Sequence, residues 1–182
     1  GRLITEANAR GVWQRSYVWL NDLPLAQLEA VHGRFKEAVY YLHTDHLNTP
    51  RLATDNTGQA LWRWEGQAFG DTLPNEDVDN DRKTVTINLR FAGQYYDQET
   101  GFHYNWNRYY DPKLGRYITS DPIGLAGGLN TYAYVNDNPL TWIDPSVMSR
   151  MKCRICCARL PPSFSRRRGF SNEALQSDAA GG

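Results

Sequence analysis

A turn that recurs at fixed spacing limits this chain more than any other feature. Tyr95-Tyr96-Asp97 is followed, after three intervening residues, by Gly101 and the aromatic Phe102. Tyr109-Tyr110-Asp111 is followed in the same way by Gly115 and, after Arg116, by Tyr117. Thr54-Asp55-Asn56-Thr57-Gly58 is a looser echo. In each unit the Asp side chain can accept from backbone N–H groups just ahead of it, the Gly reaches φ > 0 freely, and the flanking aromatics favour extended backbone. A strand, a tight turn and a returning strand result. Because a hairpin leaves its faces open until a neighbour covers them, the expected fold is all-β: repeated antiparallel hairpins whose faces are completed by neighbouring repeats.

Along the chain, Ser16–Leu20 ends at Asn21-Asp22 and predicts a strand and hairpin turn, as do Ala38–Leu42, Arg51–Thr54 and Ala60–Trp64 around the turn at Asp55–Gly58. Thr84–Phe91 alternates strictly, with Val85, Ile87, Leu89 and Phe91 on one face, and predicts a strand. Phe102–Tyr110 predicts another. The Leu and Ala content of Pro24–Phe35 predicts a helix there.

Charge and composition divide the chain. Residues 1–148 hold 13 Lys+Arg and 18 Asp+Glu, a net of −5, and residues 149–182 hold 7 and 2, a net of +5. All 6 Trp and all 11 Tyr precede that point and all 3 Cys follow it. The body is built to pack aromatics, whereas the Arg-, Ser- and Pro-rich tail is too small and polar for an enzyme core and is expected to be disordered. Polar composition leaves no room for a membrane span, and no leader is recognisable at the N-terminus.

Three Asp-Pro steps, at Asp111, Asp121 and Asp144, place carboxylates by local geometry, since Pro holds the preceding residue out of the helical region. Each is a turn signal first; their recurrence among glycines and aromatics also makes them candidate chemistry. Asp77, Asp79 and Asp81 have the alternate spacing of a calcium loop, but Arg82 stands where Gly is needed and Asn88 where a bidentate Glu is needed, which favours a solvated acidic loop and no metal. Cys153, Cys156 and Cys157 lack a His partner downstream and are read as thiols rather than zinc ligands. Arg166-Arg167-Arg168 is too short a basic run to imply nucleic-acid binding.

Four longer segments carry a resemblance. Tyr40–Asp55 (Y-Y-L-H-T-D-H-L-N-T-P-R-L-A-T-D), Phe91–Asn105 (F-A-G-Q-Y-Y-D-Q-E-T-G-F-H-Y-N), Arg108–Tyr134 and Asn138–Pro145 (N-P-L-T-W-I-D-P) resemble the YD-repeat and core region of bacterial Rhs proteins. The resemblance implies a spiralling hairpin sheet that encloses a variable C-terminal toxin, closed by a core that cuts the chain after a P-x-x-x-x-D-P-x-G-L motif. Residues 1–92 would be YD-repeat hairpins, 93–148 the core, and 149–182 the variable tail. It further implies an aspartyl-protease-like pair, Asp121 and Asp144, supported by Arg108, with no cofactor. The cleavage motif would run from Pro139 through Asp144 and Pro145 to a scissile bond between Met148 and Ser149.

The chain departs from that motif at Val147-Met148, where Gly-Leu is expected. A β-branched residue disfavours φ > 0, so the bend that presents the scissile bond is hindered. Two readings stay open: a self-cleaving processing domain, and a structural β-shell or cell-surface fragment that is not cut. Carbohydrate binding by exposed aromatics is a third, resting on composition. Implied partners are the rest of the chain's own shell, the C-terminal toxin in cis, a secretion apparatus and an immunity protein, in a protein exported after synthesis in the bacterial cytoplasm.

Overall fold

The computed structural model describes residues 2–31 and 37–144 and the backbone of Met151–Lys152. The first half is a six-stranded antiparallel meander: β1 (Thr5–Ala7), β2 (Trp13–Leu20), β3 (Leu23–Ala30), β4 (Glu37–Thr44), β5 (Pro50–Thr54) and β6 (Ala60–Arg63), each paired with the next. A second, four-stranded sheet follows: β7 (Tyr95–Tyr96), β8 (His103–Asn105), β9 (Arg108–Asp111) and β10 (Arg116–Tyr117). β11 (Trp142–Ile143) pairs antiparallel with β12 (Met151–Lys152) as a third, two-stranded sheet. Among the described residues no helix is long and apolar enough to cross a membrane.

The repeated turns form as their chemistry dictates. Asp55 Oδ1 accepts from the backbone N–H of Thr57 (2.8 Å) and Gln59 (2.9 Å). Asp97 Oδ1 accepts from Glu99 N–H, and Asp111 Oδ1 from Lys113 N–H. Gly58, Gly101 and Gly115 all sit at positive φ. At Gly115 a second constraint is added: a Cβ there would lie 2.8 Å from Phe69 Cδ1.

Three local expectations are corrected. Leu23–Ala30 is not helical but a central strand, hydrogen-bonded to β2 on one side and β4 on the other. Two flanking ladders outweigh the modest helical preference of Leu, Ala and Gln. Pro24, which has no N–H to donate, lies beside the irregularity between Val18 and Trp19 in the register of β2. The remainder of that predicted helix, to Phe35, lies outside the described residues.

Thr84–Phe91 is extended but is not a sheet strand. Its apolar face is buried as the alternation requires, with Val85, Ile87, Leu89 and Phe91 all at 5% exposure or less, yet Asn88 and Arg90 on the opposite face are buried too. The segment is covered on both faces, and its backbone finds scattered partners. Val85 N–H bonds Glu76 O, Arg90 N–H bonds Gln94 O, and Thr86 O accepts from the buried Gln27 side chain. Phe102–Tyr110, expected as one strand, is two: the chain turns back at Trp106, whose φ is 54°, so that Asn105 pairs with Arg108.

Trp62 and Trp64, both fully buried, anchor the core together with Ile87, Tyr110, Tyr117 and Tyr134. The Arg51 and Arg90 guanidinium carbons each lie 5.0 Å from the Trp64 ring centroid. Arg90 also donates to the carbonyls of Ile87 (2.7 Å) and Leu89 (2.9 Å), and burial lowers its pKa to about 10, which still leaves it charged at neutral pH. His103 packs against Phe91, Tyr96 and Tyr110, with Nδ1 2.7 Å from Gln94 Oε1. Burial, reinforced by the Arg90 charge, lowers its pKa to about 3.

Two predictions arise from this packing. Gly115→Ala will cost about 1–3 kcal/mol more than Gly101→Ala in denaturant unfolding, since both sites demand a left-handed backbone but only Gly115 faces an aromatic wall. His103 binds its proton in the unfolded chain near pH 6.5 and in the folded chain only near 3, so its contribution is complete above 6.5 and is lost as pH falls through that window. The expected slope is ~1.4 kcal/mol per pH unit between those limits. Melting of wild type and His103→Gln across pH 3–7 checks it, with the variant showing the shallower dependence.

Candidate active site

Arg108, the first residue of β9, points to the buried side of its sheet, as does Tyr110 two positions on. Its side chain is 3% exposed, and Nη2 lies 3.2 Å from Asp121 Oδ2 and 3.1 Å from Asp144 Oδ2. Nη1 donates to Thr131 O at 3.4 Å, and the guanidinium carbon sits 3.6 Å above the Tyr117 ring centroid. The structure therefore brings together the three residues singled out from the sequence.

Each carboxylate arrives by a different route. Asp121 follows β10 and is pinned by two bonds of its own: its N–H donates to Thr131 O (2.9 Å) and its Oδ1 accepts from Ile123 N–H (3.0 Å). It thus keeps an Asp-Pro turn with one oxygen while offering the other to Arg108. Asp144 comes from the far side of a left-handed turn, Val135-Asn136-Asp137, with φ values of 43°, 54° and 59°. Such backbone costs on the order of 1–3 kcal/mol per residue. Burial of Tyr134 and Val135, at 1% and 2% exposure, offsets it, and Tyr134 stacks on Phe91 with centroids 5.9 Å apart. The turn sends the chain back through Pro139, which is buried, into β11 and then Asp144. Along that path Leu140 O is held 3.0 Å from Nε2 of His46, in the turn between β4 and β5.

Two site residues escaped the sequence reading. Tyr117 of β10 donates its hydroxyl to Asp144 Oδ2 at 3.0 Å. Asn105 of β8 donates Nδ2 both to that hydroxyl oxygen (2.9 Å) and to the Asp144 carbonyl (3.1 Å). Burial, followed by the Asp144 charge, raises the Tyr117 phenol well above its ordinary range, so it remains a protonated donor. The available signal was the alternation that puts Asn105, with His103, on the buried side of β8; nothing local distinguishes Tyr117 from the other repeat tyrosines.

The remaining candidates fall elsewhere. Asp111 spends its carboxylate on its own turn, bonding Lys113 and Leu114 N–H. Asp77, Asp79 and Asp81 present oxygens within 4.8 Å of one another, with Asp81 ion-paired to Lys83. Pro145, Val147, Met148, Ser149, the three cysteines and the Arg166–Arg168 run lie outside the described residues. Chemically, two carboxylates bridged by one buried guanidinium, with a tyrosine hydroxyl on one of them, form an acid–base constellation suited to activating water.

Comparison with known proteins agrees with this architecture. The family model for the teneurin YD-shell matches residues 26–140, more than half of the chain. Double-stranded DNA deaminase toxin A of Burkholderia cenocepacia is 38% identical over 159 residues, covering 79% of this chain and 11% of that protein. Probable deoxyribonuclease RhsB of Dickeya dadantii is 56% identical over 95 residues, covering 50% of this chain and 6% of that protein. The crystal structure of TcdB2-TccC3-TEV superposes with a TM-score of 0.61 at 24% identity, covering 78% of this chain and 7% of that one, a likeness of fold. The chain thus spans only a small part of each of these proteins. Repeated hairpin turns, antiparallel sheets and the family match agree: the chain, similar to Rhs proteins, belongs to the teneurin YD-shell family.

Proposed function

We propose that this core is the processing segment of a polymorphic-toxin shell protein, and that Asp121 and Asp144, held by Arg108, hydrolyse the peptide bond between Met148 and Ser149 of their own chain. The observation that carries the reading is the meeting of two carboxylates, remote in sequence, on one guanidinium nitrogen, with Asp144 four residues before the proposed scissile bond. One group, as a carboxylate, takes a proton from water as the water oxygen attacks the Met148 carbonyl carbon, and the other, as a carboxylic acid, gives its proton to the carbonyl oxygen. Collapse of the tetrahedral intermediate breaks the C–N bond, moves a proton to the Ser149 nitrogen, and leaves a carboxylic acid on Met148. Arg108 holds both carboxylates in place and balances their charge.

In the larger protein, residues 1–92 would serve as shell hairpins, 93–148 as the cutting core and 149–182 as the start of the cargo. The shell would enclose the C-terminal segment until release, in an exported protein met by a secretion apparatus and an immunity protein. Relatives with toxin and nuclease names support that setting. A second reading, an uncut structural shell, is favoured by Val147-Met148 in place of Gly-Leu.

Intact-mass analysis of the incubated chain separates the two readings. Self-cleavage yields a fragment beginning at Ser149; Asp121→Asn or Asp144→Asn abolishes it, whereas Asp111→Asn leaves it unchanged. Continued cutting in Asp144→Asn removes the protease reading. Val147→Gly with Met148→Leu is expected to accelerate release about ten- to a hundredfold, as a β-branched residue forced to φ > 0 costs on the order of 1–3 kcal/mol. Equal rates would show that position 147 does not require glycine's freedom.

A further inference from the structure

We infer that Tyr117 and Asn105 are positioning residues that make Asp144 the ionised base of the pair, an inference that rests on the proposed self-cleavage for its catalytic meaning. The assignment follows from which atoms can donate. The Asp144 carbonyl can only accept, so the Asn105 amide facing it at 3.1 Å is the NH₂ end. That same nitrogen lies 2.9 Å from the Tyr117 hydroxyl oxygen, which must therefore accept from Asn105. A phenol has one proton, and with a donor on that side it is directed to Asp144 Oδ2 at 3.0 Å.

Asp144 Oδ2 thus faces two donors, the Tyr117 hydroxyl and Arg108 Nη2 at 3.1 Å. A proton on that oxygen would confront both, whereas a negative charge is stabilised by both. Asp121 differs: among the described residues, Oδ2 meets Arg108, and Oδ1 meets a backbone N–H that also closes its turn. Asp121 is also the more exposed of the two, at 11% against 7% for the side chain. Among the described residues, the charged and titratable groups facing Asp144 include Arg108 from β9, Tyr117 from β10, Asp121 beyond the shared guanidinium, and Tyr134 from the segment before the left-handed turn. Both tyrosines are held neutral by burial.

In the cutting step Asp144 takes the water proton, Asp121 delivers its own to the carbonyl oxygen, and the water oxygen bonds to the Met148 carbonyl carbon. The Tyr117 ring, stacked beneath Arg108, stays in place when only its hydroxyl is removed. The experiment is the carboxyl carbon NMR signal of Asp144, assigned by its loss in Asp144→Asn and recorded against pH in the full chain. In wild type at pH 7 it is expected at the carboxylate position; a protonated signal there overturns the inference even if the variants fail to fold. In Tyr117→Phe it is expected to take up its proton about one pH unit higher, and the acid limb of the cleavage profile to move by the same amount. Loss of rate with an unmoved limb and an unmoved Asp144 signal marks Tyr117 as packing alone and overturns the inference. Should wild type never cut, the processing reading fails, while the Asp144 signal still decides the charge assignment.

Discussion

A guanidinium at 3% exposure cannot stand alone, because burying an unpaired cation costs more than a single domain can spare, and this requirement at Arg108 governs the path of the second half of the chain. Its acidic partners come from positions 121 and 144, so two loops must return to one point. The first is closed by Asp121 N–H on Thr131 O, and the second by the left-handed turn at Val135–Asp137. The Tyr117 ring under Arg108 belongs at the same time to the aromatic cluster with Tyr110 and Tyr134. Core and candidate site are therefore one packed unit.

This arrangement differs from two carboxylates meeting directly. With Arg108 between them, the pair can carry a charge without raw repulsion. Asp144 is bonded through side chain and backbone alike, the carbonyl to Asn105 and Oδ2 to Arg108 and Tyr117. Asp121 keeps one oxygen in its turn and lends the other. The Asp-Pro step is a turn device in both cases, and the turn is what aims the carboxylate.

The contrast between Asp111 and Asp121 shows how little separates structure from chemistry here. Both precede Pro, and both close turns through Oδ1. Asp111 ends an inward-facing strand at the surface, so its carboxylate goes no further; Asp121 lies beside Thr131 and within reach of Arg108. Similarly, Arg90 and Arg108 are both buried cations, but Arg90 is held by carbonyls and aromatic rings and serves packing.

The sequence by itself determined the hairpins: Asp55, Asp97 and Asp111 with Gly58, Gly101 and Gly115 act over a few bonds, and no distant group is needed to close those turns. It also marked Arg108, Asp121 and Asp144, through motifs long enough to carry a family resemblance. Tertiary structure alone decided the rest. Leu23–Ala30 became a strand because two ladders flank it, and Thr84–Phe91 left the sheet because both of its faces found cover. Tyr117 and Asn105 entered the site because β8, β9 and β10 lie side by side. Such outcomes depend on partners remote in the chain, and residue type at one position carries no record of which partner the fold will supply.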